Sequence, residues 1–318
     1  MKRKNLITGG HGFLGYYLSR LLLEQGEEVV VFDVIPESKF GQDIKDSIKS
    51  VRGDLSNWVH VLDVVKDNGI NSIYHAGAIL PPVSEQSPAT AYAVNVGGTF
   101  SVLEAARLLG VDNVIYFSTL AVFGRDVPPI VPNDAPQHPP NMYGVTKVCG
   151  ERLGEYYYSR FGVDFRSVRF PPIIGMGRFD RAQSAYNYLA VQESAMGRPY
   201  TVYVDESTRI ALLYVRDAVQ GLLDLSRADN AKLTRRTYNL YGFSLTAGEL
   251  VDSIRKCIPQ AQLDFKPDQT MIELVGNLPE RLDDTLARQD WGWSTRYSLD
   301  QAIEDFVNEV RAHKAVFE

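Results

Sequence analysis

Cysteine is scarce in this chain, with only Cys149 and Cys257 among 318 residues. Two are too few for a disulfide framework, and neither falls at metal-ligand spacing with the five histidines, so no metal is expected and the compartment expected is reducing and cytoplasmic. Both read as ordinary packing residues. No apolar run is long enough for a membrane span, and no internal repeat or low-complexity tract is present. A basic surplus is also missing. The 33 Lys and Arg against 39 Asp and Glu leave a formal charge of -6, and the cations are scattered, so nucleic acid and membrane are not expected partners. KNLIT, starting at Lys4, meets glycines at once, and no leader segment is expected ahead of it.

What is present is a normal globular share of hydrophobic residues, 45%, arranged as strands alternating with helices. NLITG, FLGYYLSRLLLEQG and EVVVFD open the series, and SIYHAG and NVIYFS continue it. That alternation predicts an α/β fold with a doubly wound parallel sheet. Apolar positions at helical spacing predict long helices from Pro88 to Gly110 and from Tyr143 to Phe161, the second ending at Gly162. FRSVRF at 165–170 reads as a buried strand, after which Pro171, Pro172 and Gly175 break the pattern. Residues 1–170 are therefore expected to form a dinucleotide-binding domain and residues 171–318 mainly a smaller substrate lobe. TYNLYG at 237–242 reads as a strand returning to the sheet, which would interleave the two.

The first strand runs into TGGHGFLG. Gly9 suits a tight turn, Gly12 a close approach of backbone to a pyrophosphate, and Gly15 close packing of helix on strand, with Phe13 and Leu14 in the same cofactor-binding turn. Such glycines also serve purely structural turns. Asp33, ending EVVVFD, adds a carboxylate at the distance at which one accepts the adenosine ribose hydroxyls, and no arginine in Val34-Ile35-Pro36 would neutralise a 2′-phosphate, so NAD is expected rather than NADP. Asp54 and Leu55, in GDL, lie at the next strand end, where Asp54 either meets the adenine or is an ordinary strand-end aspartate. Ala76, Gly77 and Ala78 supply small residues where a cofactor lies close to backbone.

Tyr143 and Lys147, in YGVTK, share one face at the start of the second long helix. A phenol titrates near ~10 and is a poor base at neutral pH. A cation beside it favours the phenolate, and a shift of about three units corresponds to about 4 kcal/mol. Ser118 or Thr119, both at the end of the preceding strand, would hydrogen-bond the reacting oxygen. Asn95, in YAVNVGGT, either organises the lysine or a water chain or is a plain helix-interior asparagine. His75 reads as a packing residue at its strand end. Trp291 and Trp293 read as anchors of the C-terminal lobe, and the cluster Tyr156-Tyr157-Tyr158 as core or dimer packing.

TGGHGFLG, Asp33, GDL, HAGA, NVGGT, FSTLAVFG and YGVTK stand in an order that resembles the extended short-chain dehydrogenase/reductase family, also known as the NAD-dependent epimerase/dehydratase family, over nearly the whole chain. The resemblance implies a Rossmann-type core with a smaller C-terminal substrate lobe, NAD as cofactor, and a homodimer formed through the two long helices. Within that family, STLAVFG, MYGVTKVCGERLGEYYYSRFGVDFRSVRFP, YNLYGFSLTAGEL and LDDTLARQDWGW are similar to the short-chain type of L-threonine 3-dehydrogenase. By that resemblance Ile173 meets the nicotinamide through its backbone, and Ser84, Ser118, Thr119 and Tyr143 are candidate contacts to a small substrate; Arg209 is a further candidate because an arginine suits a hydroxy acid. The chain departs from that branch at PPIIGMGRFDRAQSAYNY, where a glycine-rich loop with paired threonines would stand, and at PPVSEQ after HAGAIL.

The function expected is hydride transfer between NAD and a secondary alcohol, on a small hydroxy acid or an L-threonine-like substrate. Two alternatives stay open. A nucleotide-sugar 4-epimerase or dehydratase would use the same Tyr and Lys with NAD held tightly, and Arg209 or Arg281 would meet its diphosphate. A non-catalytic NAD-binding regulatory protein would keep the fold without the chemistry.

Overall fold

The computed structural model describes residues 2–180, 184–276 and 278–318. Seven short segments rich in Val, Ile and aromatics form one sheet: β1 (Lys4–Thr8), β2 (Glu28–Asp33), β3 (Lys49–Arg52), β4 (Ser72–His75), β5 (Asn113–Thr119), β6 (Phe165–Phe170) and β7 (Thr237–Asn239). All pair in parallel, in the order β7-β6-β5-β4-β1-β2-β3. Successive residues alternate between two cores: Leu6 and Val30 enter one, Ile7 and Val31 the other. With both faces covered, the central strands read as unbroken apolar runs. Helices α2 (Trp58–Asn68), α3 (Gly98–Leu109) and α4 (Met142–Phe161) cover the first face. Helices α1 (Phe13–Glu24) and α5 (Val215–Arg227) cover the second.

The helix expected from Pro88 is not continuous. A short α-turn, Pro88–Ala91, passes into a π-helical turn, Tyr92–Gly97, before α3 begins. The wider turn carries Asn95, whose side chain bonds the main chain of Ile79, accepting at 2.7 Å and donating at 3.1 Å. Helix α4 ends as expected at Gly162, which takes φ 74° in the left-handed cap.

After β6 the chain leaves the sheet. Ile173–Ile174 pairs with Arg209–Tyr214, which also pairs antiparallel with Phe243–Thr246. Between these segments β7 returns to the outer edge of the sheet, parallel to β6. Helix α6 (Leu299–Ala312) opens with a Ser298/Gln301 capping box and is latched to α5 by Arg216, which bonds both Asp305 and Glu309 at 2.6 Å. Trp293 is buried and donates to Asp284 at 2.9 Å. The loop between 173 and 186, expected to border the substrate, includes Arg181, Ala182 and Gln183, which lie outside the described residues. Among the described residues no helix is long and apolar enough to cross a membrane, and no His, Cys, Asp and Glu group could hold a metal.

Candidate active site

A cleft of about 760 Å³ opens along the carboxyl ends of β1, β2, β4, β5 and β6, across the point between β1 and β4 where strand order reverses. The glycine turn forms one wall. Gly9 has φ 66°, and a Cβ there would stand 2.7 Å from the Cα of Gly77, so the β1 and β4 turns touch backbone to backbone. A Cβ on Gly12 would meet only the Gly9 carbonyl, at 3.1 Å, leaving its outer side to the cleft. No side chain caps α1, so its N-terminal N–H groups suit an anion. Asp33 lines the far end, its carboxylate accepting from the backbone N–H of His11 (3.1 Å) and Ile35 (3.2 Å). Asp54, Leu55 and Ala76 to Ala78 complete this half. Uncapped helix, glycine wall and terminal carboxylate together fit a dinucleotide.

Beneath this wall His75 is buried between two hydroxyls, with Nδ1 2.7 Å from Thr8 Oγ1 and Nε2 3.0 Å from Thr99 Oγ1. Burial, with Lys147 nearby, draws its pKa down to about 3. His75 is thus a neutral strut at physiological pH.

Tyr143 and Lys147 sit at the other end of the cleft, on the first turns of α4. Asn141 caps this helix by accepting from Gly144 N–H at 2.8 Å. Glu85 adds two acceptors, for Met142 N–H at 3.1 Å and Tyr143 N–H at 3.3 Å. Burial raises the Tyr143 pKa, a Thr119 hydrogen bond opposes that rise, and the Asp180 carboxylate adds to it. Lys147 donates to the Phe117 carbonyl at 2.6 Å, with Nζ 5.7 Å from the Tyr143 ring centre and 4.7 Å from that of Tyr116.

The structure distinguishes Thr119 from Ser118. The Ser118 hydroxyl donates to buried Glu151 at 2.5 Å, and Arg169 clasps the same carboxylate through Nε (2.9 Å) and a terminal nitrogen (2.7 Å). Both Ser118 and Thr119 border the cleft, and Thr119, the hydroxyl that Glu151 does not claim, is the one whose influence opposes the rise in the Tyr143 pKa. Asn95 does not reach Lys147: beyond Ile79, it donates to Thr146 Oγ1 at 3.0 Å, and that hydroxyl donates to the Tyr143 carbonyl at 2.8 Å.

Two expected substrate contacts are placed elsewhere. Ser84 is buried outside the cleft lining, its hydroxyl donating to Glu85 at 2.9 Å. Arg209 donates to the Ser244 carbonyl at 2.8 Å and lies 3.6 Å from Glu249, directed along the Phe243–Thr246 strand rather than into the cleft. Arg281 stacks over Tyr241 instead, 5.1 Å from the ring centre. The guanidinium that does line the cleft is Arg178, bound bidentately to Asp180 (2.8 and 2.7 Å) and donating to the Ile173 carbonyl at 2.8 Å. Sequence reasoning passed over Glu85, Arg178 and Asp180. The visible sign was a charged pair in the otherwise apolar PPIIGMGRFD.

Lys147 gives the cofactor-free protein a pH signature. Burial draws its pKa from the usual 10.5 to about 7, with Glu151 opposing. Between these two values the unfolded chain binds more protons than the folded one, so stability rises with pH through that window and the full penalty applies below it. The Tm difference between the parent protein and Lys147→Met is expected to increase steadily from pH 7 to pH 10 in thermal unfolding. A difference independent of pH would remove the buried lysine from this role.

Fold and cleft define a dinucleotide-dependent enzyme of the doubly wound α/β class. The family model of NAD dependent epimerases and dehydratases matches residues 5–240, and the chain belongs to that family, with NAD as its cofactor. It is 31% identical to the mitochondrial L-threonine 3-dehydrogenase of Sus scrofa, over 98% of this chain and 83% of that protein. An uncharacterized epimerase/dehydratase of Staphylococcus aureus is 33% identical over 93% of each chain. The structure of L-threonine dehydrogenase from Clostridium difficile superposes with a TM-score of 0.91 at 30% identity, covering 99% of both chains.

Proposed function

We propose that this enzyme oxidises the secondary alcohol of a small hydroxy amino acid of the L-threonine type, with Tyr143 as the proton acceptor. The observation that carries the reading is the pairing, beside Tyr143, of one guanidinium and one carboxylate, Arg178 and Asp180, in the cleft. A zwitterion offers a carboxylate and an ammonium that would exchange with the contacts Arg178 and Asp180 make with each other. Among the described lining residues only Lys147 and Arg178 are basic, poor provision for a sugar diphosphate. L-threonine dehydrogenases among the relatives support the same substrate class.

Residues from Gly9 to Gly15, with Asp33, would hold the dinucleotide, and Ile173 borders its reactive end of the cleft. Bound NAD supplies the hydride acceptor and a positive ring. Thr119 orients the substrate hydroxyl, and Tyr143 takes its proton as the carbon gives up hydride. Lys147, fixed by the Phe117 carbonyl, favours the phenolate when protonated. NADH absorbance should rise steadily with L-threonine or L-allo-threonine, whose hydroxyls are secondary, and less with the primary alcohol of L-serine. Silence across that panel, with interconversion of UDP-hexoses instead, would establish the second reading, a nucleotide-sugar epimerase, which the epimerase/dehydratase relative favours.

We assign the homodimer contact to α3 and α4, where Phe100, Leu108, Val145, Tyr156 and Phe161 are exposed. Sedimentation velocity reads the stoichiometry.

A further inference from the structure

A second cavity, of about 510 Å³, lies at the β7 edge of the sheet and shares no lining residue with the cofactor cleft. Its walls come from α4, from the loop around Asn133 and from the segment leading into β7. It is lined by four arginines, and two of them are fully engaged. Arg169 is held by Glu151 and by the Asn133 carbonyl, at 2.7 Å. Arg236 is held by Asn230 at 2.6 Å and by Asp164 at 3.3 Å.

The other two lie nearer the solvent, although each meets a carboxylate. Arg235 is 44% exposed, and its carboxylate contact is a loose 3.7 Å pair with Asp134, itself 68% exposed. Arg152 is 54% exposed and paired with Glu155 at 2.8 Å, a carboxyl that burial pushes toward its neutral form. A third group points to a ligand independently of charge. The hydroxyl of Thr237, a residue 3% exposed that lines the cavity, has no hydrogen-bond partner among the described residues. Buried hydroxyls are seldom left so. Guanidinium donors from two elements thus meet in one polar hollow, with the shielded, unpartnered Thr237 hydroxyl in its wall.

We infer that this cavity is a binding site for a small oxyanion, a carboxylate or a phosphate, held by Arg235 and Arg152 with the Thr237 hydroxyl donating. The site has a route to the cleft. Arg152 also reaches the Gln137 side chain at 3.0 Å and Glu151 at 3.5 Å, and Glu151 holds Ser118, the neighbour of Thr119. Binding itself is independent of which substrate the cleft accepts.

The test titrates inorganic phosphate and, separately, succinate into the NAD-saturated enzyme, with sodium chloride matching ionic strength, and follows heat and Tm. Saturating NAD occupies the other anion-binding wall. Expected is saturable binding with a rise in Tm, at least roughly tenfold weaker in Arg235→Glu and weaker in Thr237→Val. Thr237→Val conserves volume and removes a hydroxyl that has no partner, so it keeps the test open should Arg235→Glu fold poorly. A response to phosphate alone or to succinate alone identifies the oxyanion source. No saturable response to either, or one equally strong in both variants, would overturn the assignment.

Discussion

Tyr143→Phe is expected to lower turnover by about 10³-fold, within the range that general acid–base groups contribute, while leaving NAD affinity nearly unchanged. The ring is retained and only the phenolic hydroxyl is lost. The glycine turn and Asp33, proposed to hold the dinucleotide, line the opposite end of the cleft. Because proton transfer belongs to the transition state, the loss should fall mainly on kcat rather than on KM. Steady-state NADH formation and calorimetric titration of NAD check the two halves. Turnover within a factor of about ten of the parent would remove the phenol from proton transfer, and a parallel loss of NAD affinity would mean that the variant had disturbed the cleft.

The largest effect on stability is expected from Glu151→Leu. The Glu151 carboxylate is completely buried and accepts from Ser118, Gln137 and two donors on one edge of Arg169, which is 3% exposed. Removing it strands a guanidinium in the interior. Breaking a buried pair on one side costs about 3–5 kcal/mol, which for a chain of this length corresponds to a fall of roughly 4–8 °C in Tm. The double variant Glu151→Leu with Arg169→Met should recover much of the loss, since no charge is then left unpaired. Thermal unfolding of the two single variants and the double gives the coupling. A small loss in Glu151→Leu, or no recovery in the double, would mean that water reaches Arg169 and the pair is not the fastening described.

The parts of the molecule most legible in sequence were those governed by local rules. Short apolar strands buried on both faces, the glycine turn, and α4 with its Gly162 stop all follow from spacing and conformational preference within a few residues. The return of β7 was also readable, because TYN keeps a strand pattern among less regular neighbours. What depended on distant partners was not. Pro88 to Gly110 has continuous helical spacing, and only contact between Asn95 and Ile79 marks the π turn. Ser84 and Glu85 are adjacent in PPVSEQ, yet the serine turns inward and the glutamate reaches the first turn of α4. Ser118 and Thr119 are equivalent hydroxyls until Glu151 claims the first. Arg209 and Arg178 differ in role only because one finds Ser244 and the other Asp180.

The late return of β7 also has a bearing on how the chain is made. Until residues 237–239 are available, β6 is the bare margin of the sheet, its main-chain groups open to a stray strand. Asn133, made long before, must wait for Thr237 and Asn239 to satisfy its side chain, donating to one carbonyl at 2.7 Å and accepting from the other N–H at 2.8 Å. A ribosome paused ahead of those residues would hold a protein whose glycine turn, Tyr143 and Lys147 are all present while its sheet is still unsealed.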